Sequence, residues 1–65
     1  MNKDKIAERL RKLRGEKSLS KVAMDIGITP AALSNYEQGI RIPRDEIKLK
    51  IAKYYKKSVE YIFFK

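Results

Sequence analysis

The sequence predicts an all-α protein, a compact five-helix bundle in a single domain. Apolar residues recur at intervals of three and four positions, the period of a helix that buries one face. Glycine and proline interrupt this pattern where short helices would end or begin. No segment alternates apolar and polar residues as a half-buried strand does. At 65 residues, the chain has room for one domain, residues 1–65, with a small core.

The first predicted helix covers about residues 4–14. Ile6 and Leu10 begin its apolar stripe, with charged residues between them. Asp4 is a candidate N-cap, because a short acidic side chain can accept hydrogen bonds from the free N–H groups of a first turn. Gly15 is a natural end to this helix.

Helices 2 and 3 are predicted over about residues 19–26 and 30–38, separated only by the segment Gly27–Thr29. Glycine ends a helix readily, because it adopts the left-handed conformation without steric cost. Thr29 is a predicted N-cap, and Pro30 stands at the first helical position, where its missing N–H is not needed. This punctuation predicts two short helices joined by a tight turn.

Helix 4 is predicted over about residues 44–55, and a short helix 5 over about 59–63, with Ser58 as its N-cap. The apolar face of helix 4 comprises Ile47, Ile51, Ala52 and Tyr55. We expect Lys48 to lie outside this face, in water.

The composition narrows the class of protein. Sixteen Lys and Arg against eight Asp and Glu give a net charge of +8, which indicates a polyanionic partner: nucleic acid first, an anionic membrane surface second. There is no histidine or cysteine, and the carboxylates are scattered singly apart from the adjacent Asp45 and Glu46. We therefore expect neither an enzyme nor a metal or cofactor site. The sequence shows no signal peptide and no membrane span, so we expect a cytoplasmic protein.

The central pair of helices, about residues 18–38, has the form of a helix-turn-helix unit. Its three-residue turn forces the helices to cross steeply and leaves the outer face of helix 3 projecting. Such a helix fits the major groove of DNA.

Four stretches carry a family resemblance: "RLRKLRGEKS", "SKVAMDIGITPAALSNYEQG", "RIPR" and "IAKYYKKSVEYIF". Over about residues 5–63 the chain resembles the Cro- and lambda-repressor-like helix-turn-helix regulators, also called the xenobiotic-response-element type, and especially those of phages and mobile elements. The resemblance implies a five-helix bundle that binds operator DNA as a dimer. It also implies a buried ion pair between Arg14 and Glu37. Leu19 departs from the pattern, because the family usually has Gln at that position.

Helical geometry predicts that Leu33 and Tyr36 point inward. The opposite side forms a predicted DNA-facing stripe, comprising Pro30, Ala31, Ser34, Asn35 and Gln38. Asn35 can form two hydrogen bonds with adenine, Ser34 can bond to several bases, and a small apolar side chain can meet a thymine methyl group. The resemblance implies base contacts from Pro30, Ala31 and Asn35, and a backbone contact from Gln38.

The remaining candidate contacts are with phosphates. Ser18, Lys21 and Thr29 lie near predicted helix N-termini, where N–H groups and the helix dipole favour anions. Arg41 and Arg44 follow helix 3, and the resemblance implies that this loop runs along the phosphates. An arginine from it can also enter a narrow minor groove.

Aromatic residues crowd the C-terminal segment: Tyr54, Tyr61, Phe63 and Phe64. We interpret them as an exposed dimer surface. A homodimer through helix 5 and this aromatic tail would hold two recognition helices about 34 Å apart on a near-palindromic operator.

The sequence therefore predicts a sequence-specific regulator that binds double-stranded DNA, and we expect a dimeric repressor of a phage or mobile-element promoter. An antitoxin or restriction–modification controller would use the same module. A basic amphipathic membrane binder is disfavoured, because the helices are short and separately capped. An RNA-binding module is disfavoured too, because no GXXG loop or RNP-type motif is present.

Overall fold

The computed structural model describes all 65 residues as helices and connecting segments, with no strand. We number its helices α1 to α4 and call the last helical segment, which has π-type hydrogen bonding, the C-terminal turn. The bounds are Lys3–Arg14 for α1, Leu19–Ile26 for α2, Pro30–Glu37 for α3, Asp45–Tyr55 for α4 and Glu60–Phe64 for the C-terminal turn. The predicted all-α, five-helix architecture is confirmed. None of these helices combines the length and apolar character that crossing a bilayer requires.

One hydrophobic core joins all five segments. It contains Ile6, Leu10, Val22, Ala23, Ile26, Leu33, Ile51, Ala52, Ile62 and Phe63. Ile6, Leu10, Leu33, Ile51 and Ala52 come from the predicted inward faces, so a period of 3.6 residues identified these buried positions. The first helix packs mainly against α3 and the C-terminal turn, so α1 forms the back of the bundle behind α3.

The N-cap of α1 is Asn2, and the predicted cap at Asp4 is wrong. The Asn2 side-chain oxygen accepts hydrogen bonds from the backbone N–H groups of Asp4 (3.0 Å) and Lys5 (3.1 Å). Helix α1 therefore starts at Lys3, and Asp4 lies in its first turn. There its negative charge interacts favourably with the positive end of the helix dipole. The C-terminal end is as predicted, at Gly15.

Helix α4 ends on Lys56, which adopts the left-handed conformation with φ +58°. Its N–H and that of Lys57 donate to carbonyls of the last turn of α4. This is the place where glycine is normally favoured, because a Cβ atom there is sterically strained.

The C-terminal turn is held at both ends. Ser58 Oγ accepts a hydrogen bond from the N–H of Tyr61 at 3.0 Å, so the predicted cap forms. Arg9 of α1 reaches across to donate to the carbonyl of Ile62 at 3.0 Å and to that of Lys65. A side chain from the first helix thus satisfies carbonyls that the turn itself leaves free.

Two side-chain predictions in the C-terminal half are wrong. Lys48 is buried rather than exposed, because its ammonium lies over the Phe64 ring, 5.1 Å from the ring centroid. Phe63 is a core residue, which agrees with its predicted place on the apolar side of helix 5 and removes it from the predicted aromatic surface. The turn directs Phe63 inward and leaves Tyr61 and Phe64 exposed.

Candidate nucleic-acid interface

The turn between α2 and α3 is built from local hydrogen bonds. Gly27 adopts φ +95°, and its N–H donates to the carbonyls of Ala23 and Met24 at 2.9 and 3.1 Å. The N–H of Ile28 also donates to the carbonyl of Ala23 at 3.0 Å. These bonds close the end of α2 and aim the chain into α3 with only three intervening residues.

The start of α3 is equally well defined. Thr29 Oγ1 accepts a hydrogen bond from the N–H of Ala32 at 3.0 Å, and Pro30 occupies the first helical position. Leu33 is fully buried, and Ile28 packs against the core to which Leu33 belongs. The predicted cap is confirmed, and the chain enters α3 at a fixed angle.

Helix α3 is anchored from behind by a buried ion pair. Arg14 Nε and Nη2 donate to the two carboxylate oxygens of Glu37 at 2.8–3.1 Å, and the Glu37 side chain is only 5% exposed. These bonds raise the pKa of the Arg14 guanidinium above its ordinary value. The predicted pair is confirmed. Arg11, which the sequence reading missed, donates to the backbone carbonyl of Glu37 and so caps α3.

Tyr55, predicted on the apolar face of helix 4, has a hydroxyl group whose surroundings the sequence did not predict. Its hydroxyl is buried without a hydrogen-bond partner. Burial, and then the nearby charge of Glu37, raise its pKa to about 12. A tyrosine in an amphipathic pattern gives no signal that its hydroxyl will lack a partner.

The outward side of α3 carries the predicted stripe in two parts. Pro30, Ala31 and Gln38 are exposed, whereas Ser34 and Asn35 are half-buried. The chain after α3 folds back here, because the Asn35 carbonyl accepts the N–H groups of Ile40 and Arg41. The surface is thus less open at its centre than the helical projection predicts.

Ser34 and Gln38 are linked to each other. Gln38 Nε2 donates to Ser34 Oγ at 2.6 Å, one helical turn apart. Such a bond holds both side chains in one orientation along the helix. Asn35 makes no side-chain hydrogen bond in the structure, so both its donor and its acceptor remain available.

Two arginines lie in the segment after α3. Arg41 and Arg44 are both exposed, and they flank the buried Pro43. Arg44 is 3.8 Å from the Glu46 carboxylate, and both side chains are at least three-quarters exposed. A surface pair of this length is weak, so Arg44 is free to take another anionic partner.

The remaining predicted contacts occupy helix starts. Ser18 Oγ accepts the N–H of Lys21 at 3.0 Å, so Ser18, like Thr29, serves as an N-cap. Lys21 Nζ pairs with Asp25 at 2.9 Å, and this hydrogen bond raises the pKa of Lys21 and lowers that of Asp25. The pair is exposed, so it competes weakly with a phosphate.

The arrangement has the properties of a docking surface. No three Asp or Glu residues lie close enough together to hold a metal ion. What the structure presents is a short capped helix with polar and small side chains facing out, flanked by cations and two helix N-termini. That combination suits a phosphate backbone with base edges between its strands.

A helix-turn-helix family model matches residues 10–62, more than half of the chain. No curated protein and no solved structure matches it. The match spans the capped turn, the ion pair behind α3 and the first residues of the C-terminal turn. The chain belongs to the Cro- and lambda-repressor-type helix-turn-helix family of DNA-binding transcriptional regulators.

Proposed function

We propose that this chain is a sequence-specific repressor that binds double-stranded DNA as a homodimer. The observation that carries the proposal is the contrast between the two sides of α3. Its inner side is fixed by Leu33 and by the bonds of Arg11 and Arg14 to Glu37. Its outer side offers short polar side chains that make few contacts within the protein. A rigid helix with an unengaged outer side suits the major groove.

Asn35 is the proposed hydrogen-bonding reader, because its amide can bond to adenine N6 and N7 together. Ser34 and Gln38 act as a linked pair, with Ser34 towards a base and Gln38 towards the backbone. Pro30 and Ala31 lie at the start of α3, where small apolar side chains allow close approach to a thymine methyl group. The protein therefore recognises few base pairs by direct contact, and the shape of the DNA supplies part of the specificity.

Arg41, Arg44 and Lys21 supply the proposed phosphate contacts through their charges. Ser18 and Thr29 contribute by fixing the first turns of α2 and α3. The free N–H groups of these turns can donate hydrogen bonds to phosphate oxygens. The net charge of +8 adds a general attraction that is sensitive to salt.

The proposed regulator acts in the cytoplasm, on a phage or mobile-element promoter, by occluding it. A dimer formed through the C-terminal turn and its exposed aromatic residues would place two copies of α3 on a near-palindromic operator. Tyr61 and Phe64 are the members of this surface that remain exposed.

Selection of bound sequences from random duplex DNA tests the proposal. We expect a near-palindrome whose half-site centres lie about one helical turn, or 34 Å, apart. A parallel selection with Asn35→Ala should keep the half-site spacing and lose preference at one position in each half-site. Recovery of unenriched sequence by the unaltered protein would contradict sequence-specific binding. Enrichment of single half-sites would contradict only the dimer and would leave sequence-specific binding in place.

A further inference from the structure

The three cations proposed to contact phosphates differ in how far they are engaged within the protein. Arg41 is exposed and makes no ion pair. Arg44 lies 3.8 Å from its exposed partner Glu46. The ammonium of Lys21, by contrast, donates to both carboxylate oxygens of Asp25, at 2.9 and 3.1 Å. Of the three, Lys21 is therefore the cation whose charge is most fully neutralised in the free protein.

The stability of α2 does not explain this ion pair. Lys21 lies in the first turn of α2 and Asp25 in its last turn. A cation near the positive end of a helix and an anion near the negative end both oppose the helix dipole. A pair four residues apart with the cation first is also the less favourable of the two orders. The main effect of the bond is therefore on Lys21 itself, whose charge it occupies.

Asp25 is the fixed member of the pair. Its side chain is 32% exposed, against 68% for Lys21. The hydroxyl of Tyr54 on α4 donates to Asp25 Oδ2 at 3.3 Å, so a second helix holds the carboxylate. The side chain of Lys21 is bonded to Asp25 alone, and a lysine ammonium on its flexible stem can change partners easily.

The surroundings of Asp25 allow Lys21 to leave. A shallow cleft between α2 and α4 is lined by Asp25, Ile26, Lys50, Lys53 and Tyr54. Lys50 and Lys53 are exposed and form no ion pair of their own. When Lys21 turns to another anion, the Asp25 carboxylate therefore keeps the Tyr54 hydroxyl and remains close to positive charge.

We propose that Asp25 limits the affinity of this protein for DNA by competing with phosphate for Lys21. In the free protein the ammonium bonds to Asp25, and in the complex it donates to a phosphate oxygen instead. The free energy of the first bond is subtracted from that of the second. Asp25 makes no contact with DNA and acts only through Lys21. This inference rests on the proposed DNA-binding function and identifies a residue that sets its strength.

The expected effect has the opposite sign to that of a structural role. If Asp25 served only to hold α2 against α4, its removal would weaken DNA binding. Removing a competitor should strengthen binding instead. Because an exposed pair of this kind contributes little free energy, the gain should be about two- to fivefold. It should be similar on every duplex, because phosphates are common to all sequences.

Fluorescence anisotropy with a duplex of arbitrary sequence provides the first test. Asp25→Asn should lower the dissociation constant by about two- to fivefold at low salt. Glu16→Gln is the matched control, because it removes the same charge from an exposed residue just before α2, outside the pair. Equal strengthening by both variants would overturn the proposal, because it would reflect net charge only. Unchanged or weaker binding by Asp25→Asn would overturn it too.

A double-mutant cycle provides a sharper test. In a Lys21→Gln background, Asp25→Asn should strengthen binding no more than Glu16→Gln does, because no ammonium remains to be released. A gain that persists without Lys21 would overturn the competition. Circular dichroism should show the same helical content in all variants, because Lys21, Asp25 and Glu16 are exposed.

Failure of this inference is distinguishable from failure of the proposed function. An unaltered protein that binds no duplex would overturn both. An unaltered protein that binds duplex DNA, with an affinity that Asp25→Asn does not change, would overturn only the role of Asp25. Selection from random duplex DNA should return the same sequence for the Asp25→Asn variant as for the unaltered protein. A different sequence would overturn action through a phosphate contact alone.

Discussion

The helix-turn-helix half and the C-terminal half of this protein are stabilised in different ways. In α2 and α3, each helix start has its own side-chain cap, and the turn uses a glycine at φ +95°. In α4 and the C-terminal turn, a lysine takes the left-handed position, and a buried ammonium is incompletely paired. The first half is complete within the monomer, which suits a rigid reading surface. The second leaves hydrogen-bonding groups unused, namely donors of the Lys48 ammonium and the Tyr55 hydroxyl.

Breaking the anchor behind α3 should have the largest effect. Glu37→Ala should lower the free energy of unfolding by about 3 kcal/mol, because it leaves Arg14 without its partner in a largely buried site. Urea denaturation measures the loss, with Glu16→Ala, an exposed acidic residue before α2, as the control. A loss below about 1 kcal/mol, within the range of a surface pair, would mean that the helix-turn-helix half does not depend on this ion pair.

Asn35→Ala should separate reading from stability in the same half. Affinity for the selected operator should fall by about 1–3 kcal/mol, with specificity relaxed at one position. Thermal unfolding should change little, because the Asn35 side chain makes no hydrogen bond within the protein. Fluorescence anisotropy with operator and random duplexes measures the effect. Equal weakening on both duplexes would show that Asn35 is not a base reader.

Lys56→Gly should stabilise the C-terminal half. The substitution should raise the free energy of unfolding by about 1 kcal/mol, because glycine adopts a positive φ without strain. Lys57→Gly is the matched control, because Lys57 does not have a positive φ. Glycine at that position only increases the conformational entropy of the unfolded chain, which lowers stability. If the two variants unfold alike, Lys56 carries no strain.

Arg44→Ala should weaken binding to every duplex by a similar factor. The slope of log affinity against log salt should become shallower by about 0.9 if one phosphate contact is lost. Glu46→Ala removes its weak partner instead and should leave the slope unchanged or slightly steeper. A slope that Arg44→Ala does not alter would place Arg44 away from the phosphates.

Tyr55→Phe should have the smallest effect at neutral pH. Removing a buried hydroxyl without a partner should leave stability nearly unchanged or slightly higher. Because burial raises the pKa of Tyr55 from 10 in the unfolded chain to about 12, its contribution is complete below pH 10. It is lost as the pH rises towards 12. Between pH 10 and 12 the unaltered protein should therefore lose free energy of unfolding relative to the Tyr55→Phe variant. A constant difference would argue against the raised pKa.

The two halves were also unequally predictable from the sequence. Thr29, Pro30 and Gly27 act within a few residues of themselves, so their roles could be derived from spacing alone. The burial of Lys48 could not, because it depends on Phe64, which the C-terminal turn brings over α4. The cap at Asn2 was missed because two neighbouring short polar residues compete for that role, and one hydrogen-bond pattern decides between them.

The candidate site divides along the same line. The set of outward residues on α3 followed from helical geometry. The half-burial of Ser34 and Asn35 did not, because burial depends on tertiary packing, which helical geometry alone does not describe. Arg11 was missed because the carbonyl it caps lies on another helix, 26 positions later.

The bonds of Arg9 have a consequence for how this protein is made. Arg9 lies in the first helix, and the carbonyl of Ile62 that it binds is 53 positions further along the chain. During synthesis α1 is therefore made well before the carbonyl that Arg9 binds. Closing so long a loop carries an entropic penalty that local helix contacts do not. We expect α1 and the helix-turn-helix to assemble first through the contacts between α1 and α3, and the C-terminal turn to be held in place only afterwards, when Arg9 binds it.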